Sequence, residues 1–93
     1  NIKFQYNPSV DKYFPDFLLE NNKIIEVQGD YFHCNPKKYP NGPNEQQINF
    51  IIKDYYKKCF YESNDFKTLY IWESDIKNST KEIEEKICLF CRL

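Results

Sequence analysis

From Gly29 to Asn44 the chain shows no periodicity, and Pro36, Pro40, Gly42 and Pro43 exclude a regular element there. This break constrains the fold more than any other feature. The segments on its two sides must form separately and meet across a long loop. Before the break the pattern is that of strands. Tyr13 to Glu20 reads as one strand, with aromatic and apolar residues around Asp16, and Ile24 to Gln28 reads as another. Asn21-Asn22-Lys23 between them is a turn, so the two form a hairpin. Asn1 to Tyr6 reads as a further strand on the alternation of Ile2, Phe4 and Tyr6.

After the break the pattern changes. From Asn44 to about Glu62, Ile48, Ile51, Ile52, Tyr55 and Cys59 recur at spacings of three and four, which predicts a helix with that stripe on one face. Asn64-Asp65 ends it. Lys67 to Glu73 reads as a strand, with Leu69 and Ile71 on one side and Tyr70 and Trp72 on the other. Ser79-x-x-Glu82 has the form of a capping box, and Ile83, Ile87, Phe90 and Cys91 make the apolar stripe of a final helix. The order β-β-β-α-β-α predicts an α/β sheet with a helix crossing over to its last strand.

A chain of 93 residues suits one domain. Eight Tyr, eight Phe and one Trp supply most of the large apolar surface for its core. The two glycines, Gly29 and Gly42, are expected where the backbone needs an unusual conformation. No apolar run approaches a membrane span of roughly 20 residues, and no stretch has the pattern of a signal peptide. The expected setting is the cytoplasm of a bacterium or phage-infected host, with no membrane partner. The chain starts at Asn1 rather than Met and is expected to be a piece of a longer protein. Cys88-x-x-Cys91 has half of a zinc-ribbon spacing, but Cys34 and Cys59 are too far apart to supply the other half. Lying in an apolar helical run, the pair reads as buried thiols.

The net charge of −1 runs against the basic surplus usual in a nucleic-acid-binding domain. Carboxylates that hold a cation, however, lower the formal charge without repelling DNA once the metal is bound. Two such residues are Asp16 and Glu26, on adjacent antiparallel strands whose pairing can bring both carboxylates to one end of the sheet. A hard divalent cation such as Mg²⁺ needs oxygen ligands of this kind, with positions left for water and phosphate. The plain alternative is two solvent-facing strand residues, although Asp suits a strand interior poorly. His33, the only histidine, lies just past the strand that carries Glu26. It can accept a proton near neutral pH or donate one to a phosphate, although by itself it reads first as a surface or half-buried loop histidine. Asp54 stands beside the apolar stripe of the long helix, where pairing with Lys58 at i+4 is the simpler reading. Tyr31 and Phe32 read as core aromatics or as loop-tip aromatics able to stack on bases.

Together these residues carry a resemblance that none carries alone. Phe14-Pro15-Asp16-Phe17, then Ile24-Ile25-Glu26-Val27-Gln28-Gly29-Asp30-Tyr31-Phe32-His33, then Asp54, then Leu69-Tyr70-Ile71-Trp72-Glu73 resembles the core of the very-short-patch-repair nucleases. It is closer still to the related EDxHD homing endonucleases. The resemblance runs from Phe14 to Glu73. It implies a restriction-endonuclease-like α/β core, with a central mixed sheet flanked by helices, that hydrolyses double-stranded DNA with Mg²⁺ or Mn²⁺. It makes Asp16 the principal metal-binding carboxylate, with the Val27 carbonyl as a second ligand and Glu26 as a further candidate. His33 matches the histidine that works on water or phosphate, Asp54 the aspartate that completes the site, and Tyr31 and Phe32 aromatics that insert into DNA.

Two departures stand out. The family's first acidic residue lies on a helix upstream of the Pro-Asp strand, so that helix and a DNA-recognition domain are expected outside this chain. The wider PD-(D/E)xK nucleases carry a lysine two positions after the second acid, where this chain has Gln28, and the cationic role must pass to another group such as His33. A homing enzyme acting as a homodimer is the preferred reading. The alternatives are a mismatch-repair nickase and an inactive DNA-binding module of the same fold.

Overall fold

The computed structural model describes residues 3–93. Asn1 and Ile2, which begin the first expected strand, lie outside the described residues. The elements in order are β1 (Phe4–Tyr6), β2 (Phe17–Leu19), β3 (Lys23–Gln28), α1 (Glu45–Ser63), β4 (Lys67–Trp72), α2 (Glu73–Asn78) and α3 (Thr80–Arg92). They form an α/β fold with one mixed sheet in the order β1-β2-β3-β4. The first three strands are antiparallel neighbours, and β4 runs parallel to β3. A parallel neighbour requires a crossover, and α1 provides it. No helix among the described residues is long and apolar enough to cross a membrane.

The β2–β3 hairpin turns where the sequence places it. Asn21 and Asn22 both adopt positive φ, 63° and 57°, a conformation Asn tolerates better than most residues. The strand expected from Tyr13 is shorter than its pattern, because only Phe17–Leu19 pairs in the sheet. Pro15 has no N–H for a ladder, and Tyr13 instead closes a local bridge with Val10.

Helix α1 starts on a capping box: the Asn44 side chain accepts from the Gln47 N–H at 2.8 Å, and Gln47 Oε1 accepts from the Asn44 N–H at 3.0 Å. The capping box expected at Ser79 does not form. Strand β4 runs directly into α2, which the strand pattern through Glu73 concealed. Ser79 ends that short helix by donating its N–H to the Asp75 carbonyl, and its side chain makes no cap bond to α3.

The stripe expected to bury α1 faces outward. Ile48, Ile51, Ile52 and Tyr55 are 43%, 38%, 49% and 65% exposed, and Cys59 is half-buried. The helix turns inward a different 3–4 series: buried Gln47 and Tyr61, with half-buried Phe50, Asp54 and Lys57 between them. The reason lies in what the helix covers, a sheet face carrying Glu26 and Tyr70, whose polar atoms need polar neighbours. Gln47 also donates to the Tyr31 carbonyl at 2.7 Å, holding the loop to the helix.

The dry core lies on the opposite face of the sheet. Leu19, Ile25 and Ile71 bury against Ile83 and Phe90 of α3, with Phe17, Leu69, Ile87 and Cys91 packed around them. Burying side chains of this size is worth roughly 1.5–3 kcal/mol each. Lys23, only 4% exposed, ties β3 to the end of α3 by donating to the Cys91 and Leu93 carbonyls at 3.1 Å each. This places a cation where a helix C-terminus favours one. All four cysteines are free. Cys34 is buried, but Cys88 is exposed, because it falls beside the α3 stripe rather than within it. Gly42 takes the expected positive φ of 92°, whereas Gly29 does not need one.

Candidate active site

The site starts from strand register. Phe17 pairs with Ile25 as the outermost step of the β2–β3 ladder, so the next step outward sets Asp16 opposite Glu26. Two hydrogen bonds lock that step. The Asp16 N–H donates to Glu26 Oε1 at 2.8 Å, and Asp16 Oδ2 accepts from the Val27 N–H at 2.7 Å. Both carboxylates therefore sit at the same end of the sheet, as the spacing predicts. Glu26 is only 4% exposed, and a buried carboxylate needs compensation. Its second oxygen, Oε2, lies 2.6 Å from Lys57 Nζ on α1.

His33 reaches the site through an ordered loop. Its N–H donates to the Gly29 carbonyl at 3.1 Å, and the Asn35 N–H donates to the Asp30 carbonyl at 2.9 Å. Asp30 anchors this segment. Buried beside β3, it accepts from Asn35 Nδ2 and Ser74 Oγ, both at 2.9 Å, and lies 3.3 Å from Lys38 Nζ. The Asn35 amide, first among these partners, holds the Asp30 carboxyl below the usual carboxylate range against the opposing effect of burial. The anchored loop presents His33 to α1, where its Nδ1 pairs with the Asp54 carboxylate. Asp54 thus takes His33 as its partner rather than Lys58. With Nδ1 so engaged, Nε2 is the ring nitrogen left for other chemistry.

These residues meet in one cavity of about 200 Å³, lined by Asp16, Glu26, His33, Asp54, Lys57 and Tyr70. Val27 and Gln28 also border it, while Tyr31 and Phe32 do not. Tyr31 is half-buried, and its hydroxyl donates to Gln46 Oε1 at 2.8 Å and accepts from Asn44 Nδ2 at 3.1 Å. Phe32 packs edge-on against Phe50 with ring centroids 5.0 Å apart, yet remains 47% exposed.

The donors fit a hard cation that keeps much of its own water. Asp16 uses Oδ2 for the Val27 N–H, which leaves Oδ1. Glu26 has both oxygens engaged, by Asp16 and by Lys57. Among the described residues no three His, Cys, Asp or Glu side chains are grouped to hold a metal by themselves. Mg²⁺ does not require that, since one or two carboxylates with water and phosphate satisfy it.

Sequence reasoning missed Lys57 and Tyr70. Lys57 follows Asp54 by three positions and so shares its helix face, a signal hidden by the stronger apolar stripe beside it. Tyr70 alternates with Leu69 and Ile71 and so points to the α1 side. Its hydroxyl is buried without a hydrogen-bond partner. Burial, then the charge of Glu26, pushes its pKa up to about 12, with the nearby Thr68 side chain opposing the shift. No known protein family, curated protein or solved structure matches the chain.

Proposed function

We propose that the chain is the catalytic core of a metal-dependent DNA endonuclease, of the restriction-endonuclease-like type found in very-short-patch-repair and EDxHD homing enzymes. One observation carries the reading. Asp16, His33 and Asp54, which come from just before a strand, a loop and a helix, line a single polar cavity. The sequence resemblance selects the same three residues as catalytic.

In this reading Asp16 holds Mg²⁺ or Mn²⁺, with the Val27 carbonyl and Glu26 as further candidate ligands. The cation, when bound, would lower the pKa of an attacking water and offset charge on the phosphate. The chain's own residues do the rest. His33 takes a proton from the water as its oxygen bonds to phosphorus, and Asp54 stabilises the imidazolium that results. The bond from phosphorus to the leaving oxygen breaks with its electron pair on that oxygen, which takes a proton from solvent. The products are a phosphate monoester and an alcohol. Exposed Phe32, next to His33 in the loop, is open to contact with duplex DNA, and a homodimer would serve two antiparallel strands.

The test is cleavage of duplex DNA by the full protein, together with calorimetric Mg²⁺ or Mn²⁺ binding. Asp16→Asn is expected to abolish both. His33→Ala is expected to lower cleavage by roughly 10²–10⁴-fold while the thermal midpoint changes little. Unchanged metal binding in Asp16→Asn would overturn the metal assignment, and near-normal cleavage by His33→Ala would remove the histidine from the mechanism.

A further inference from the structure

The cavity has an electrostatic problem that metal ligation alone does not address. Its lining carries three carboxylates, Asp16, Glu26 and Asp54, and a phosphodiester entering it brings a further negative charge. Where water is even partly excluded, like charges a few ångströms apart cost more than they do in bulk solvent. The transition state of phosphoryl transfer spreads its charge over the non-bridging oxygens, and fixed cations aimed at those oxygens stabilise it.

Lys57 is the lysine that lines the cavity. Its neighbours on α1 have other contacts: Lys53 lies over the Phe50 ring, 5.8 Å from its centroid, and Lys58 over the Tyr70 ring, 6.0 Å away. Neither borders the cavity. The Lys57 ammonium has three N–H donors, and it forms an ion pair with Glu26 Oε2. Its side chain is 26% exposed, against 6% for Glu26. Glu26 is thus sealed in, while the Lys57 side chain keeps part of its surface exposed and lines the cavity. Glu26 in turn receives the Asp16 N–H, so one chain of contacts fixes the ammonium relative to the carboxylate proposed to hold the metal.

We propose that Lys57 is a catalytic residue, positioned by Glu26, whose ammonium binds a non-bridging oxygen of the scissile phosphate and stabilises the charge that builds there. This rests on the nuclease reading above. It gives Glu26 a role as well, as the anchor of that ammonium. It also explains how the site works with the neutral Gln28 at its rim: the cation comes from the helix instead of from β3.

The experiment compares the full protein with Lys57→Arg, Lys57→Gln and the double variant Glu26→Gln/Lys57→Gln. Three quantities are read: single-turnover cleavage of a duplex oligonucleotide with Mg²⁺, affinity for the same duplex with Ca²⁺, and the thermal midpoint. Lys57→Arg keeps the charge and is expected to hold cleavage within about tenfold of wild type. Lys57→Gln strands a buried carboxylate and is expected to lower the midpoint and reduce cleavage by about 10²–10³-fold. The double variant removes the stranded charge, so its midpoint should return towards wild type while its cleavage stays low. Duplex affinity should fall far less than the cleavage rate in every variant. Cleavage by Lys57→Gln within about threefold of wild type would overturn the proposal. So would a double variant that recovers cleavage along with stability, because Lys57 would then serve only to neutralise Glu26. A wild-type protein that cuts no DNA with any divalent metal overturns the nuclease reading itself, and the role of Lys57 falls with it.

Discussion

The two faces of the sheet are built on opposite principles. Towards α3, Leu19, Ile25 and Ile71 meet Ile83 and Phe90 in a cluster of hydrocarbon. Towards α1, the same strands present Glu26 and Tyr70, and the helix answers with Asp54, Lys57 and Tyr61. The first face gains free energy from every contact. The second holds a buried carboxylate and two tyrosine hydroxyls, those of Tyr61 and Tyr70, without hydrogen-bond partners. A fold tolerates such costs where the groups have a use other than stability. Stability is therefore expected to depend chiefly on one face and chemistry on the other.

The largest test of that division is Phe90→Ala. It removes the most voluminous side chain of the α3 cluster and leaves a cavity, at a cost of about 3–5 kcal/mol. That is a large fraction of the 5–15 kcal/mol typical of a folded domain. Chemical denaturation should show the loss, with the metal binding proposed at Asp16 retained in whatever protein remains folded. A cost below about 1 kcal/mol would mean that the dry face does not dominate.

The boundary between the faces is the Asp30 anchor, and its effect should be smaller and pH-dependent. Asp30→Ala removes the acceptor for Asn35 and Ser74 and is expected to cost about 1–3 kcal/mol at neutral pH. The folded protein holds the Asp30 carboxyl below its ordinary value of 3.8. The unfolded chain therefore takes up the proton first as pH falls, and the contribution of the ionised group, full well above pH 3.8, is lost progressively as pH falls from there through the lower folded value. Denaturation from pH 7 down to pH 3 should show the wild type losing its advantage over Asp30→Ala at the acid end. An advantage independent of pH would rule out the ionised carboxylate as its source.

The legible part of the molecule follows the same division. Where a face is hydrocarbon, periodicity reports it correctly: Leu69 and Ile71 point to α3, and Ile83, Ile87, Phe90 and Cys91 form the α3 side of the core. The hairpin is legible from Asn21-Asn22 and the crossover from the order of strand and helix patterns. Register made the Asp16–Glu26 pair readable from spacing, because antiparallel pairing couples distant positions in a fixed way. The polar face misled for a physical reason. Ile48, Ile51, Ile52 and Tyr55 form the most hydrophobic stripe of α1, but a site rich in carboxylates selects the stripe that can answer its charges. The His33–Asp54 and Glu26–Lys57 pairs depend on how a helix docks, which no local pattern encodes. The missing cap at Ser79 has a simpler cause: α2 had already taken that residue as its own end.

The smallest effect expected is also the sharpest on the sign of the comparison. Tyr70→Phe removes one hydroxyl from the polar face and leaves the ring. On the dry face, trimming a side chain opens a cavity and costs stability. Here the lost atom is a buried hydroxyl with no hydrogen-bond partner, so its removal ends a desolvation cost and opens almost no space. The variant should be as stable as wild type or more so, by up to about 1 kcal/mol at neutral pH. Alkaline pH should widen the difference. The folded protein raises the Tyr70 pKa from 10.0 to about 12, so between those values the unfolded chain has released a proton that the folded one still holds. Wild-type stability must then fall as pH rises through this range. Tyr70→Phe removes that part of the decline, while Tyr61, also raised by burial, preserves the remainder. Denaturation at pH 7 and at pH 10.5 should therefore show a gap in favour of Tyr70→Phe that grows with pH. A loss of more than about 1 kcal/mol at neutral pH would mean that the hydroxyl has a partner in solution, and that this part of the polar face contributes to stability after all.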